Sequence, residues 1–167
     1  LKWMYCGRDQ VVWSAPVEDL TRWRYDGVIF IVNESPELYK LNADGTDDVL
    51  FAPDVTVTTD ADGKKTYYLF PNNQGGGRNS MIAKSDRPDG PFTVCNWHKE
   101  RPRETFGCLG FDPAVFVDDD GRVYGYWGFG ITHGAEMDPA TMCTVKPGTE
   151  VVENMISGYR QEGLFRF

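Results

Sequence analysis

The sequence predicts an all-β fold built from antiparallel strands. Helical periodicity is nearly absent from the 167 residues. Short runs of β-branched and aromatic residues recur instead, and such runs have the composition and length of strands. Asp-Gly pairs separate several of these runs, and this pair tolerates the positive φ angles of a tight hairpin turn. Together the three observations predict sheets whose strands are joined by short turns.

The candidate strands can be followed in chain order, because each is a compact β-branched or aromatic run. They cover residues 11–13, 28–32, 55–59, 66–70 and 122–127. Five Asp-Gly pairs begin at Asp26, Asp44, Asp62, Asp89 and Asp120. The pairs at Asp62 and Asp120 are each followed by an aromatic strand, so they give the strongest predictions of hairpins.

A repeat of 57 to 58 residues predicts the architecture. Residues 51–55 (Phe-Ala-Pro-Asp-Val) lead into an Asp-Gly turn and an aromatic strand, and residues 111–115 (Phe-Asp-Pro-Ala-Val) do the same. The spacing from Asp54 to Asp112 is 58 residues, and residues 3–6 look like the aromatic strand of an earlier unit. Repeats of four short strands are typical of the blades of a β-propeller.

The predicted domain is incomplete. With about three blades, the chain could not close a propeller ring by itself. It also starts and stops in strand-like sequence, at Leu1 and Phe167. We therefore expect residues 1–167 to be a single partial propeller domain whose missing N- and C-terminal blades belong to the same polypeptide.

The charge of the chain excludes some classes of partner. Lys and Arg number 17 against 25 Asp and Glu, which gives a net charge of −8. Nucleic acids and anionic membrane surfaces are bound by basic faces, so neither is expected as a partner. No apolar run approaches the roughly 18 residues that a membrane-spanning helix needs. The hydrophobic fraction of 41% is enough for one sizeable core.

Neither a metal nor a cofactor is expected. The four cysteines are Cys6, Cys95, Cys108 and Cys143, and no two of them are close in sequence. The two histidines stand beside no cysteine cluster, so zinc-binding spacing is absent. Asp118 to Asp120 resemble part of a calcium loop, but Phe116 occupies a position where such a loop needs an oxygen ligand. Free, mostly buried thiols are the favoured interpretation, and a disulfide framework remains the alternative.

Two aspartates are candidates for chemistry. Asp54 and Asp112 lie at the starts of successive repeats, where the first strand of each blade lines the central channel of a propeller. Carboxylates that converge in this way shift one another's pKa and can divide acid and base roles. The alternative is that each merely caps a turn. The repeated Pro-containing contexts favour a functional role for Asp112, and the period projects equivalent positions near −4 and 170, outside the chain.

The chain resembles glycoside hydrolase family 43. The motifs that carry the resemblance span residues 14–27, 50–55, 66–70, 82–92 and 111–128. Each motif alone is weak, but their combination in this order is specific and covers essentially the whole chain. The resemblance implies a five-bladed β-propeller that hydrolyses α-L-arabinofuranosides or β-D-xylosides with inversion at the anomeric carbon.

The resemblance also implies three catalytic acids. An Asp on the first blade is the general base, a second Asp raises the pKa of the acid and orients it, and a Glu is the general acid. Asp112 matches the second role by its motif, whereas the base has no counterpart and would precede Leu1. Glu162 matches the start of one version of the acid motif, but Leu164 breaks the match. In the other version the Glu would follow Phe167.

Aromatic residues near the expected channel are candidates for sugar binding. Phe51, Phe111 and Trp127 could stack on a sugar face, and Asp54 could line the same funnel, although packing between blades is the alternative for each ring. A carbohydrate substrate is thus the expected partner. Because the base, and on one alternative the acid, lie outside the chain, we expect the 167 residues alone to be inactive.

Two other functions remain open at the level of sequence. One is a non-catalytic propeller that binds carbohydrate or protein, since one fold supports many functions. The other is a related propeller enzyme that acts on fructosides, or a glycoside phosphorylase. The sequence predicts neither the sugar, nor exo or endo action, nor the oligomeric state, nor the compartment.

Overall fold

The computed structural model describes residues 7, 9–31, 48–75 and 77–155. Within these ranges the chain forms twelve strands and no helix, which confirms the all-β prediction. No helix capable of crossing a membrane is therefore present in this part of the chain. The predicted early strand at residues 3–6 and the candidate acid Glu162 lie outside the described residues.

The strands are short, as expected for propeller blades. In chain order they are β1 (Asp9–Ser14), β2 (Arg24–Ile31), β3 (Val49–Leu50), β4 (Asp54–Thr59), β5 (Lys65–Phe70), β6 (Asn73–Gln74), β7 (Ala83–Ser85), β8 (Thr93–Val94), β9 (Ala114–Val117), β10 (Val123–Trp127), β11 (His133–Met137) and β12 (Val152–Glu153).

Two four-stranded antiparallel sheets form the main part of the fold. The first, here called the central blade, has the order β4-β5-β7-β8, and the second, the C-terminal blade, has the order β9-β10-β11-β12. Neighbouring strands in each sheet pair antiparallel, so each sheet is an up-and-down meander like a propeller blade. This order confirms the predicted repeat of four short strands.

The turns that join the first two strands of each blade follow the Asp-Gly signal. Gly63 and Gly121 both have φ of +81°, the left-handed conformation that glycine adopts without strain. In the central blade the Asp60 carboxylate accepts hydrogen bonds from the Asp62 and Lys64 backbone amides, at 3.0 and 2.9 Å. Local side-chain chemistry therefore closes this hairpin.

The pair at Asp26 does not form a turn. It lies inside β2, and the register of β1 against β2 shifts there between Val12 and Trp13, so that Asp26 is an extra, bulged residue. Gly27 has φ of +120°, which suits a bulge as well as it suits a turn. Pairing with β1 on both sides of this position continues the strand. The prediction of a strand break at this Asp-Gly pair was wrong.

Two apolar clusters hold the sheets together. One joins the central and C-terminal blades and includes Phe70, Ile82, Val115, Met137 and Cys143. The other joins the β1–β2 hairpin to the central blade and includes Phe30, Leu50, Leu69, Met81 and Phe92. Burial of each large side chain stabilises the fold by about 1.5–3 kcal/mol. The central blade is thus covered on both faces.

The β1–β2 hairpin is covered on one face only. Cross-strand pairs Val11–Val28 and Trp13–Tyr25 share its outer face and are exposed. The Trp13 and Tyr25 rings contact each other with their centroids 5.1 Å apart. An apolar sheet face left open in this way is what a propeller blade presents to a further blade.

A small sheet lies beside the central blade. It pairs Val49–Leu50 (β3) with Asn73–Gln74 (β6). An ion pair between Arg78 and Asp48, whose side chains are 5% and 0% exposed, closes this region, and Asn73 donates a further hydrogen bond to the Asp48 carboxylate at 3.1 Å. Because breaking a buried pair leaves an uncompensated charge, this arrangement holds β6 against the segment that begins β3.

The described cysteines are free thiols of graded exposure. Cys95 is exposed, Cys108 is half-buried and Cys143 is buried, while Cys6 lies outside the described residues. Burial raises the pKa of all three thiols, and that of Cys143 to about 12. These thiols are therefore protonated at neutral pH, and the buried Cys143 packs in the cluster between the central and C-terminal blades.

Candidate functional site

Asp112 lies where the C-terminal blade begins. It precedes β9 by two residues and is half-buried in the segment that leads into this first strand of the blade. Its φ is +49°, in the left-handed region that Asp and Asn tolerate better than most other residues. The backbone here turns instead of continuing as a strand. The Asp112 carboxyl group is thus carried outside the hydrogen-bonded ladder of the sheet.

Asn72, from the central blade, is the hydrogen-bonding partner of Asp112. Its side-chain Nδ2 donates to Asp112 Oδ1 at 2.7 Å, and the Asp112 backbone amide donates to Asn72 Oδ1 at 3.2 Å. Asn72 is only 1% exposed and has φ of +51°. Gln74 Nε2 also donates to Asn72 Oδ1, at 3.0 Å. A polar connection therefore joins the two blades at the candidate site.

Asn72 was not predicted as a site residue. The only local signal was a pair of asparagines after the aromatic strand at residues 66–70, and Asn is common where φ is positive. The contact itself joins residues 40 positions apart in the chain, and so no local pattern reports it.

A row of three phenylalanine rings lies beside Asp112. The centroids of Phe51 and Phe111 are 5.2 Å apart, and those of Phe111 and Phe129 are 5.6 Å apart. Backbone hydrogen bonds fix this row, because the Phe51 amide donates to Asn72 and the Gly128 amide donates to the Phe111 carbonyl. The structure thus brings two of the predicted aromatic residues together at Asp112.

Phe129 was not predicted to belong to this row. It lies on the loop between β10 and β11 and is 63% exposed. Its neighbours in sequence are Gly128 and Gly130, so the sequence indicates a loop but gives no sign of the ring contact with Phe111.

Asp54 occupies a different kind of position from Asp112. It is the first residue of β4, and its Oδ2 accepts a hydrogen bond from the Val115 backbone amide at 2.7 Å. The Thr56 hydroxyl donates to the Val115 carbonyl. Both backbone groups of Val115 in the C-terminal blade are therefore bonded by side chains of the central blade.

The structure corrects the predicted equivalence of the two aspartates. β4 begins at Asp54 and β9 at Ala114, so the strand starts are 60 residues apart and Asp112 corresponds to Ala52. The two aspartates lie on opposite sides of equivalent prolines. Burial raises the pKa of Asp54, and hydrogen bonds from the Val115 and Val55 amides oppose this rise. Contact of Asp54 with a substrate stays a prediction.

Trp127 has a packing role. It is 7% exposed and belongs to the cluster between the central and C-terminal blades. His133 stacks on its ring with centroids 5.5 Å apart and planes inclined by 5°. Little ring surface is left for a sugar, and we therefore assign Trp127 to the core and leave it out of the candidate site.

Among the described residues, no group of three or more His, Cys, Asp or Glu is placed to hold a metal ion. The candidate site consists of the Asp112 carboxyl group, the Asn72 amide that bonds to it and the row of phenylalanine rings. Such a set can orient a neutral polar ligand with apolar faces and can influence the protonation of a nearby acid.

The family model for glycosyl hydrolases family 43 matches residues 10–165. A xylosidase/arabinosidase of Thermoclostridium stercorarium is 36% identical over 130 residues, which are 75% of this chain and 25% of that protein. An arabinoxylan arabinofuranohydrolase of Bacillus subtilis strain 168 is 34% identical over 127 residues, which are 70% of this chain and 24% of that protein. The chain thus spans about a quarter of the length of these curated relatives.

Solved structures share the fold. A glycoside hydrolase superimposes with a TM-score of 0.52 at 27% identity, over 89% of this chain and 30% of the other. A family 43 β-xylosidase/α-arabinofuranosidase from a compost microbial metagenome, in complex with xylotriose, has a TM-score of 0.53 at 23% identity, over 87% of this chain and 48% of the other.

Proposed function

The chain belongs to glycosyl hydrolase family 43, and from this premise we propose that it forms part of an enzyme that hydrolyses glycosidic bonds in arabinose- or xylose-containing plant polysaccharides or oligosaccharides, with inversion. The two relatives named above are a xylosidase/arabinosidase and an arabinoxylan arabinofuranohydrolase, which supports this substrate class. The observation that carries the proposal is Asp112, held in a left-handed turn at the start of β9 beside the phenylalanine row.

We assign Asp112 the task of supporting the general acid. Inversion requires a protonated acid and an ionised base roughly 6.5–9.5 Å apart, so that a water fits between the base and the sugar. An ionised carboxylate near the acid disfavours ionisation of that acid and raises its pKa. The acid then stays protonated near working pH and can protonate the glycosidic oxygen. Asp112 supplies this negative charge and orients the acid.

The other two acids complete the proposed mechanism from outside the described residues. We place the general base upstream of Leu1. For the acid we keep two positions, Glu162 and a residue a few positions beyond Phe167. The chemistry is acid–base catalysis by carboxyl groups, and so it requires no cofactor.

The phenylalanine row provides the proposed sugar platform. The C–H faces of a pyranose or furanose ring are apolar and pack well on aromatic rings. Phe51 and Phe111 flank the Asn72–Asp112 connection, and we propose that they hold the sugar whose bond is cleaved.

The test uses the full-length polypeptide encoded by the gene. We expect it to cleave an aryl α-L-arabinofuranoside or β-D-xyloside, with the inverted anomer appearing first by proton NMR. Asp112→Asn should lower kcat/KM by about 10²- to 10⁴-fold, the range for a general acid that is no longer supported. Asp119→Asn, which changes an exposed carboxylate in the β9–β10 turn, is the matched control and should leave kcat/KM unchanged.

Two results would contradict the proposal: retention of anomeric configuration, or an Asp112→Asn variant as active as wild type. A full-length protein that binds arabinoxylan without cleaving it would favour the non-catalytic alternative. The purified 167-residue chain serves as a further arm and should show no turnover. Turnover by that chain, abolished by Asp112→Asn, would show that all required acids lie within it.

A further inference from the structure

We propose that Asn72 is a positioning residue that fixes the orientation of the Asp112 carboxylate and thereby sets the efficiency of leaving-group protonation. The inference rests on the proposed function, because it needs Asp112 to support the general acid. It assigns a task in catalysis to a residue of the central blade that contributes no acid of its own.

The geometry lets one amide control two parts of Asp112. Asn72 Nδ2 donates to the carboxylate at Oδ1, and Asn72 Oδ1 accepts from the backbone amide of the same residue. Because the planar Asn72 amide bonds at both ends, it fixes the Asp112 side chain relative to the Asp112 backbone. At 1% exposure, Asn72 is closed to solvent, so bulk water does not replace these bonds.

The orientation of the Asn72 amide is itself determined by its neighbours. Its Oδ1 accepts from the Asp112 backbone amide, a group that can only donate, and from Gln74 Nε2. An oxygen must therefore stand on that side, and the NH₂ group must face the carboxylate. The Phe51 amide donates to the Asn72 carbonyl at 3.1 Å and fixes the backbone as well. The donor is thus preorganised before any substrate arrives.

The backbone conformations explain why an asparagine suits this position. Asn72 and Asp112 have φ of +51° and +49°. Most residues other than glycine avoid such values, but Asn and Asp tolerate them better. Such conformations persist where surrounding contacts determine them, and they concentrate at functional sites. Here the two residues hold each other across the junction between blades.

The arrangement also distinguishes the two carboxylate oxygens of Asp112. Within the described part of the chain, Oδ1 is bonded to Asn72 and Oδ2 carries no hydrogen bond. Oδ2 is therefore the oxygen available to the general acid. Loss of Asn72 would free the carboxylate to rotate, and the acid would lose a neighbour at a defined distance.

The test measures how activity depends on the leaving group in the full-length enzyme. The variants are Asn72→Gly and Asn72→Ala, which both remove the amide without adding a charge, and glycine also adopts the positive φ without strain. With a phenyl glycoside, whose leaving group needs protonation, kcat/KM should fall at least about 10-fold. With a 2,4-dinitrophenyl glycoside, which departs without protonation, it should fall less than about 3-fold.

Asn96→Gly is the matched control. Asn96 is also 1% exposed and bonds backbone groups of Ile82, Ser80 and Phe106, away from Asp112. This variant should lower the thermal midpoint while leaving the ratio of the two kcat/KM values at its wild-type level. A purely structural role for Asn72 would give the same result as Asn96→Gly and would overturn the proposal.

A double-mutant cycle separates this inference from the function on which it rests. In an Asp112→Asn background, Asn72→Gly should change the phenyl glycoside rate by less than about 2-fold, because Asn72 acts through Asp112. Additive losses would overturn the inference. An Asp112→Asn enzyme with wild-type activity would instead overturn the proposed function. If the Asn72 variants do not fold, Gln74→Ala replaces them, because it removes the hydrogen bond from Gln74 to the Asn72 side chain. This variant should show the same leaving-group dependence with a smaller loss. An unchanged ratio of the two kcat/KM values would then overturn the role of Asn72.

Discussion

Segments 51–55 and 111–115 have the same length and the same residues in a different order, and the structure uses them differently. In the central blade the aspartate follows the proline and enters β4, where Asp54 bonds to the backbone of the next blade. In the C-terminal blade the aspartate precedes the proline, and Asp112 adopts a left-handed turn bonded to Asn72. The two residues that flank the proline are thus exchanged, and the aspartates differ in position: Asp54 bonds across the blade junction, whereas Asp112 lies before the strand and bonds to Asn72.

The flanking residues of the two segments occupy corresponding positions. Phe51 and Phe111 correspond, and their rings meet across the junction between the blades. Val55 and Val115 correspond as well, since each is the second residue of its strand. Their surroundings differ, because Val55 is 51% exposed whereas Val115 is 5% exposed and lies at the junction between the blades.

The largest expected difference is in activity. In the full-length enzyme, Asp112→Asn should cost about 10²-fold or more in kcat/KM, whereas Asp54→Asn should change it by less than about 3-fold. Asparagine at position 54 keeps an oxygen that can accept from the Val115 amide, so the junction between blades survives. Aryl glycoside kinetics at one pH measure both. An equal loss in both variants would break the comparison and would support contact between Asp54 and the substrate.

The next effect is on stability, where we expect Asp54 to matter more than Asp112. Asp54→Ala leaves the Val115 amide at the blade junction without its partner and should lower the free energy of unfolding by about 1–3 kcal/mol. Urea denaturation of the full-length enzyme measures this loss. Asp119→Ala, at an exposed turn position, is the control and should stay within about 0.5 kcal/mol of wild type. An Asp54→Ala variant as stable as that control would show that the bond to Val115 contributes nothing.

The smallest effect is a pH dependence of the same site. Burial raises the pKa of Asp54 above its ordinary value of 3.8. The folded state therefore binds this proton more tightly than the unfolded state, and the contribution of Asp54 to stability falls as pH rises through the window above 3.8. The stability of wild type relative to Asp54→Asn should accordingly be lower at pH 7 than at pH 4. Denaturation curves at both values test this, and a difference of opposite sign would contradict the assignment.

Local chemistry explains which parts of the fold the sequence could predict. The hairpins at Asp62 and Asp120 depend on two turn residues and on strands directly beside them, so a short window contains the whole cause. At Asp26 the same pair becomes a bulge, because β1 pairs on both sides of it. The difference lies in a partner strand that the local pattern does not contain.

The candidate site was predictable only in part for a related reason. Asp112, Phe51 and Phe111 lie in motifs that can be recognised along the chain. The role proposed for Asn72 depends on its contact with a residue 40 positions away, and burial against the neighbouring blade places Trp127 in the core. The contact of Asn72 and the burial of Trp127 both depend on how the blades pack against each other, and the sequence pattern of a single blade does not predict this packing.

The bonds from Asp54 and Thr56 to Val115 have a consequence for protein engineering. Strands within a blade pair through backbone groups that every residue shares. At this junction, side chains of the central blade bond instead to the backbone of the C-terminal blade. Blades are therefore not freely interchangeable modules. A chimaera that replaces the central blade must bring an acceptor at position 54 and a hydroxyl at position 56, or the amide and carbonyl of Val115 become two unsatisfied groups at the seam.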